Sequence, residues 1–238
     1  MKAVLSAFRQ FLKSVWGDFM LTACLVALVL MGLVFKFRIP ELETFLCGYF
    51  NKTAVLAPYY ILLDLMLSLM TPLMLCFSGV MIMLEELDDG TAKYLQVSPL
   101  GKTGYLFSRI GFIAVLSTVY NVIIPVIFTL SGMEITDIAL SAVLNALISV
   151  VIGMFVLSFA KNKVEGMALI KLSGFMIFGF IAAFFIKTPA GYLAGVLPSF
   201  WVGKLVTDDN YLYILPCLTV SFIWIVLLYK RFSARVLS

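Results

Sequence analysis

Four carboxylates lie within a stretch of five positions in this sequence: Glu85, Glu86, Asp88 and Asp89. Carboxylates at this spacing can hold a divalent cation, exchange protons or pair with a basic surface. The sequence favours the last interpretation over a metal site built on these residues alone, because a run of charges is usually a solvated surface. We therefore interpret them as an acidic turn that binds a basic partner.

The composition removes most enzymatic chemistry. The sequence contains no histidine, so it lacks His general bases, Ser-His and Cys-His dyads and His-ligated zinc. Its cysteines form no Cys-x-x-Cys motif, since they are scattered at Cys24, Cys47, Cys76 and Cys217. We expect no catalytic residue, no metal site and no cofactor in this chain, and we do not expect it to be an enzyme by itself.

Three enzyme families share fragments of this region, and each lacks an essential part here. Residues 101–103 resemble the end of a phosphate-binding P-loop, but Gln96 stands where that motif needs a glycine. Residues 88–93 loosely resemble the metal-binding motif of phosphatidyltransferases, yet no aspartate follows before Asp137. The glutamate pair at 85–86 resembles that of intramembrane prenyl-protein proteases, which need histidines. We reject nucleotide binding by this chain and place an intramembrane enzyme last among the alternatives.

The acidic residues open a segment, 85–109, with recognisable turn chemistry. Gly90 supplies an unusual backbone angle and Thr91 can cap a helix, so the sequence predicts a short helix over 92–97. Ser98 and Pro99 then end it, because proline restricts the preceding residue and has no N–H to donate. A short helix held between two longer ones is suited to docking a soluble partner.

The elements that must position this segment cross a membrane. Of the 238 residues, 63% are apolar or aromatic and 13% are charged, whereas an average soluble domain has about 25% charged residues. Because a bilayer-crossing helix needs ~20 mostly apolar residues, the sequence predicts an all-α integral membrane protein with one transmembrane domain over residues 1–238. The six predicted spans are residues 19–35, 58–84, 110–130, 138–160, 167–186 and 211–229.

The basic residues set the predicted orientation. With the N-terminus inside, 11 of the 17 lysines and arginines fall in cytoplasmic segments and five in outer ones, which satisfies the positive-inside rule. Both termini are therefore predicted to be cytoplasmic. Residues 1–18 have the apolar stripe of an amphipathic interfacial helix, and residues 187–210 are predicted to form short re-entrant helices at the outer face. The basic residues are too dispersed to indicate a nucleic-acid partner.

Four residues with charged or amide side chains fall inside the spans, where such residues are costly and often functional. Asp64 lies near the outer end of the second span, and Lys171 lies near the inner end of the fifth. Asn121 and Asn145 lie at similar depths on consecutive spans, so we predict a hydrogen bond between them. The alternative is that Asp64, Asn121 or Asn145 lines a substrate path. For Asp64, a polar contact at the outer boundary is equally open.

The spacing of the cytoplasmic segment resembles the coupling region of ABC-2 type transporter permeases. The residues that carry the resemblance are Glu86, Gly90, Thr91, Leu95, Ser98 and Pro99, followed by Arg109 where the family usually has lysine. The layout of the whole chain is similar too, with an interfacial N-terminal helix, six spans and short helices before the last span.

This resemblance implies the permease subunit of an exporter in the plasma membrane, which we expect to be the inner membrane of a bacterium. Such permeases pair with a second copy or a paralogous permease and dock a separate ABC ATP-binding subunit, which holds ATP and magnesium. The implied cargo is a drug, an antimicrobial peptide or a lipid-like molecule. The predicted coupling residues are Glu85, Glu86, Asp88, Asp89, Gly90, Thr91, Leu95, Ser98, Pro99 and Arg109. The alternative function is a non-transporting membrane scaffold or immunity protein.

Overall fold

The computed structural model describes residues 19–98 and 101–236, apart from the side chains of residues 20 and 21. The described part is helical and holds no strand. Six of its helical stretches are long and apolar enough to cross a membrane, which confirms a multi-pass, all-α protein. The predicted interfacial helix, residues 1–18, lies outside the described residues.

The helices follow one another with short connections. They are α1 (Phe19–Phe50), α2 (Tyr60–Asp88), α3 (Thr91–Val97), α4 (Gly101–Phe128), α5 (Ile135–Phe159), α6 (Lys163–Ser173), α7 (Ile177–Phe185), α8 (Pro198–Thr207) and α9 (Ile214–Val236). Short 3-10 helices cover Ala57–Tyr59, Gly174–Met176, Pro189–Val196 and Tyr211–Tyr213. The fifth crossing is therefore composite, because a 3-10 turn separates α6 from α7.

Helices α2 and α5 form the centre of the subunit. In each, 72% of the most apolar stretch is buried inside the subunit, against 11% for α1 and 17% for α9. The two central helices approach each other closely, since the Cys76 thiol of α2 donates to the backbone carbonyl of Ser149 on α5 at 3.2 Å. The peripheral helices keep apolar side chains on their outer faces, as helices in contact with lipid must.

The first helix is longer than its apolar run. The sequence predicts a span over 19–35 and a polar outer connection over 36–57, whereas α1 continues to Phe50 with Pro40 inside it. Proline leaves the carbonyl four residues earlier without its helical partner, which water can satisfy outside the hydrocarbon layer. The chain then turns back on Glu43, whose carboxylate accepts the backbone N–H groups of Val55 at 2.9 Å and Leu56 at 2.6 Å.

Residues 85–109, predicted to be a long connection, are mostly helical where the structure describes them. Helix α2 runs on to Asp88 and α4 begins at Gly101, so only two residues separate α3 from α2 and three separate it from α4. Residues 187–210 likewise fold into short helices, as predicted, and α8 packs its buried face against α7 and α9. These two helical insertions lie at opposite ends of the bundle.

Candidate functional site

Helix α3 begins and ends close to the predicted positions. Gly90 is its N-cap and has a φ of +74°, a left-handed conformation that favours glycine. The prediction that Thr91 caps the helix is wrong, because Thr91 is the first helical residue and the cap has no side-chain hydrogen bond. The helix ends at Val97, and Ser98 has an extended backbone with ψ at 171°. Pro99 lies outside the described residues.

A buried ion pair fixes the two spans on either side of α3. The Arg109 guanidinium on α4 donates to both carboxylate oxygens of Glu86 on α2, from Nη2 at 2.5 Å and from Nε at 3.0 Å. The Tyr105 hydroxyl donates to the same carboxylate at 3.0 Å, and the guanidinium lies over the Tyr105 ring. The side chains of Arg109 and Glu86 are only 8% and 15% exposed. This forked geometry is the strong form of the Arg–carboxylate pair.

A second polar contact connects the end of α2 to the start of α6. The Lys163 ammonium lies 2.7 Å from a Glu85 carboxylate oxygen, and the Lys163 backbone N–H donates to Asp88 at 3.2 Å. Both side chains of the ion pair are about half exposed, and exposed pairs contribute only ~0–1 kcal/mol. The acidic turn is thus partly used within the subunit, and Lys163 is a partner that sequence reasoning missed.

A third contact connects α3 to the last span. The buried Gln96 amide donates to the backbone carbonyl of Val236 at 2.6 Å, near the end of α9. Close by, Arg231 donates to the carbonyl of Ser158 at 3.2 Å and lies over the Phe159 ring. Nothing in the sequence pattern pairs Gln96 with a position 140 residues away.

The outer face of α3 carries exposed apolar side chains. Tyr94 is 77% exposed and Val97 is 84% exposed, and residues three apart on a helix share a face. On the opposite face Ala92 is fully buried and Leu95 packs against the core. Tyr94 and Val97 thus form a small exposed apolar surface on α3. Sequence reasoning named Leu95 but missed Tyr94 and Val97, although their spacing was readable.

The predicted coupling residues thus occupy one end of the bundle. Glu85, Glu86 and Asp88 lie in the last turn of α2, and Asp89 is exposed immediately after it. Gly90, Thr91, Leu95 and Ser98 belong to α3 and its caps, and Arg109 reaches Glu86 from α4. The structure therefore brings together the described members of the set.

The carboxylate of Asp64 is fully used at the other end of α4. It accepts hydrogen bonds from the Thr129 hydroxyl at 2.8 Å, from the Leu130 N–H at 3.0 Å and from the N–H and hydroxyl of Ser131 at 2.8 and 2.6 Å. Asp64 is 1% exposed. These contacts satisfy the backbone N–H groups of Leu130 and Ser131, which lie just beyond the end of α4. Asp64 thus makes a polar contact, one of the two roles that the sequence leaves open for it. A role in a substrate path stays a prediction.

The two asparagines meet through a serine rather than directly. Ser68 donates its hydroxyl to the Asn121 amide oxygen at 2.7 Å and accepts the Asn145 amide at 2.8 Å. The Asn121 amide also donates to the Ser68 carbonyl at 3.0 Å. That carbonyl lacks its helical partner because Pro72, four residues later, has no N–H. The predicted direct bond is thus replaced by a network of three helices, and its role in a substrate path stays a prediction.

Comparison with known proteins identifies the family. The profile of a family described as "Fluoroquinolones export permease protein Rv2686c-like" matches residues 11–229. The chain belongs to this family. Its membership confirms the resemblance to ABC-2 type export permeases.

Two relatives from Mycobacterium tuberculosis carry the same description. The fluoroquinolones export permease proteins Rv2686c of strain H37Rv and MT2760 of strain CDC 1551 are each 27% identical to this chain over 171 residues, which is 65% of this chain and 64% of the relative. This chain thus spans just under two thirds of the length of the curated relatives it matches. No solved structure matches the chain significantly. The bacterial relatives support the inner membrane as its location.

Proposed function

We propose that this family member is the membrane subunit of an ATP-driven exporter, on which a separate ATP-binding subunit docks through α3. The observation that carries the proposal is the two-sided character of α3. One face presents Tyr94 and Val97 to solvent, while Ala92 and Gln96 on the other face are buried against the bundle. An ATPase partner is needed because this chain carries no complete P-loop.

The proposed complex follows from this division of labour. The partner subunit holds ATP and magnesium, and the permease pairs with a second copy or a paralogous permease. Both termini and α3 lie on the cytoplasmic side, as the distribution of basic residues predicts. The relatives are named for fluoroquinolone export, so the cargo we propose is a hydrophobic or amphipathic drug, with amphipathic peptides and lipid-like molecules as the wider class.

The contacts around α3 can transmit a movement of the partner. The Glu86–Arg109 pair lies between α2 and α4, the Glu85–Lys163 pair reaches α6, and the Gln96–Val236 bond reaches α9. A displacement of α3 therefore acts directly on α9 through Gln96 and on the helices α2 and α4 that it packs against. The two ion pairs connect α2 in turn to α4 and α6. The buried, forked pair is the stiffest of these connections, because loss of either partner would leave an uncompensated buried charge.

A site-specific photocrosslinker tests the docking surface. A photoreactive phenylalanine analogue placed at Val97 should form an adduct with an ATP-binding subunit in intact cells, identified by its P-loop peptide. The matched control is Val164, which lies at the same end of the bundle on α6 and is 70% exposed. We expect a much weaker ATPase adduct from that position.

Export is measured in parallel. Val97→Asp should abolish ATP-dependent accumulation of a fluoroquinolone in inverted membrane vesicles, and Val164→Asp should leave it near the wild-type rate. The proposal fails if position 97 yields no ATPase adduct, or if Val97→Asp exports normally. Drug protection that persists without ATP hydrolysis would instead support the membrane scaffold or immunity protein.

A further inference from the structure

An apolar groove lies on the subunit surface between α2 and α6. It has a volume of about 330 Å³, which is within the range of small-molecule sites. Its walls are built from flexible sulfur-containing and aliphatic side chains together with one aromatic ring: Met70, Met74, Phe77, Met167 and Ile170. Methionine-rich surfaces adapt to differently shaped apolar ligands. The groove is therefore suited to the apolar body of a compact molecule.

The same groove is lined by a lysine. Lys171 is exposed at its edge. Among residues 19–98 and 101–236, no carboxylate lies within ion-pair distance of its ammonium group. An ionisable residue inside a membrane span is costly and usually serves a pathway or a ligand. An apolar wall with an unneutralised cation beside it is complementary to an amphipathic anion.

The lysine lies deeper than its apolar run indicates. The fifth apolar run begins at Met167, but α6 begins at Lys163, where the Glu85 ion pair marks the polar end of the bundle. Lys171 is eight residues further on, or about 12 Å at 1.5 Å per residue. The groove continues from Lys171 as far as Gly174, towards the middle of the span. A bound molecule would therefore point its charged group to the cytoplasmic side and its apolar body to the bilayer centre.

Both helices that form the groove depart from regular α-helix beside it. Helix α6 ends at Ser173 and passes into the 3-10 turn Gly174–Met176, and α2 contains Pro72 at the level of the groove. A 3-10 stretch in mid-span often marks a functional hinge. Proline in a membrane helix opens the backbone to similar adjustment. The walls of the groove can thus change their separation where the lysine lies.

We propose that Lys171 recognises the anionic group of the exporter's cargo, and that the groove between α2 and α6 holds the cargo's apolar body. This inference rests on the proposed function and names its substrate class: compact amphipathic molecules that carry a carboxylate or another single negative group. The volume of the groove favours a drug-sized molecule over a phospholipid, whose two acyl chains exceed it.

Binding by the purified chain tests the inference without ATP or a partner. The chain is placed in phosphatidylcholine nanodiscs, and equilibrium dialysis measures the binding of norfloxacin, which has a carboxylate, and of its methyl ester, which does not. Lys171→Met should weaken norfloxacin binding about tenfold or more, because a charge-assisted hydrogen bond is lost, and should leave ester binding unchanged. Lys171→Arg should retain norfloxacin binding. Lys187→Met, at an exposed lysine outside the groove, is the matched control.

Four results would overturn the inference. The first two concern the wild-type chain, which would bind neither probe or would bind acid and ester equally. The other two concern Lys171→Met, which would weaken the binding of both probes equally or would leave norfloxacin binding unchanged. If nanodiscs that also contain phosphatidylglycerol show this lipid retained by the wild type and lost from Lys171→Met with norfloxacin binding unchanged, the lysine serves a lipid instead. Charge-selective binding without any ATPase adduct at position 97 would refute the exporter alone, and the adduct without charge selectivity would refute the lysine's role alone.

Discussion

Asn121 donates a hydrogen bond to a backbone carbonyl of α2 that Pro72 leaves without a helical donor. Proline leaves the Ser68 carbonyl without an N–H in its own helix, and the Asn121 amide donates to that carbonyl at 3.0 Å. Asn121→Leu removes this bond together with the 2.7 Å bond from the Ser68 hydroxyl. Interhelical hydrogen bonds in membranes contribute ~0.6 kcal/mol on average and up to ~1.7, so we expect a loss of about 1–3 kcal/mol in the free energy of unfolding.

The decisive variant restores the helix. Pro72→Ala returns an N–H to α2, which can then satisfy the Ser68 carbonyl itself. In that background Asn121→Leu should cost about half as much, a coupling of roughly 1 kcal/mol in a double-mutant cycle. Unfolding of the purified chain in mixed detergent micelles, followed by tryptophan fluorescence, measures all four free energies.

Asn145→Leu provides the control. The Asn145 amide donates to the Ser68 hydroxyl and not to its carbonyl, so its cost should be the same with Pro72 and with alanine there. If Asn121→Leu lowers the free energy of unfolding by the same amount with Pro72 and with alanine at that position, Asn121 does not act by satisfying the Ser68 carbonyl, and the reasoning is refuted.

Two further predictions concern stability elsewhere in the chain. Arg109→Met leaves Glu86 buried without its partner and should cost about 3–5 kcal/mol, measured by the same unfolding assay; a cost below ~1 kcal/mol would mean that water reaches the carboxylate. Gly179→Ala places a Cβ 2.1 Å from the Ser199 hydroxyl oxygen and should cost about 1–3 kcal/mol, whereas Gly174→Ala meets nothing within 4 Å and should be close to neutral. Equal thermal stability of the two alanine variants would contradict this packing.

The helices could be predicted from the sequence because they depend on local signals. Long apolar runs predicted six crossings, and Gly90 with Ser98 bounded the short helix α3. The end residues of the membrane-spanning helices could not be predicted, because a helix can leave the hydrocarbon layer without a change in backbone conformation. Thus α1 continues past Pro40 to Phe50, although the apolar pattern that predicted it stops earlier.

The polar contacts were only partly predictable. Position along the spans predicted that Asn121 and Asn145 lie at the same depth. It did not predict that Ser68 joins them, because a serine in an apolar run gives no sign of its partners. The resemblance placed Glu86 and Arg109 in one segment without pairing them. Gln96 could not be predicted to contact α9, since such a contact depends on how the whole bundle closes.

The Gln96–Val236 bond also has a consequence for biosynthesis. Helix α3 can form from local signals as soon as it leaves the ribosome, but its anchor is made 140 residues later. At ~5–20 residues per second, the helix waits about 7–28 s before the last span can hold it. During that interval the helix of a nascent chain has no anchor on α9. If an ATP-binding subunit docks on α3 as proposed, the bond acts as a timing device that reserves its firm attachment for chains whose synthesis has reached Val236.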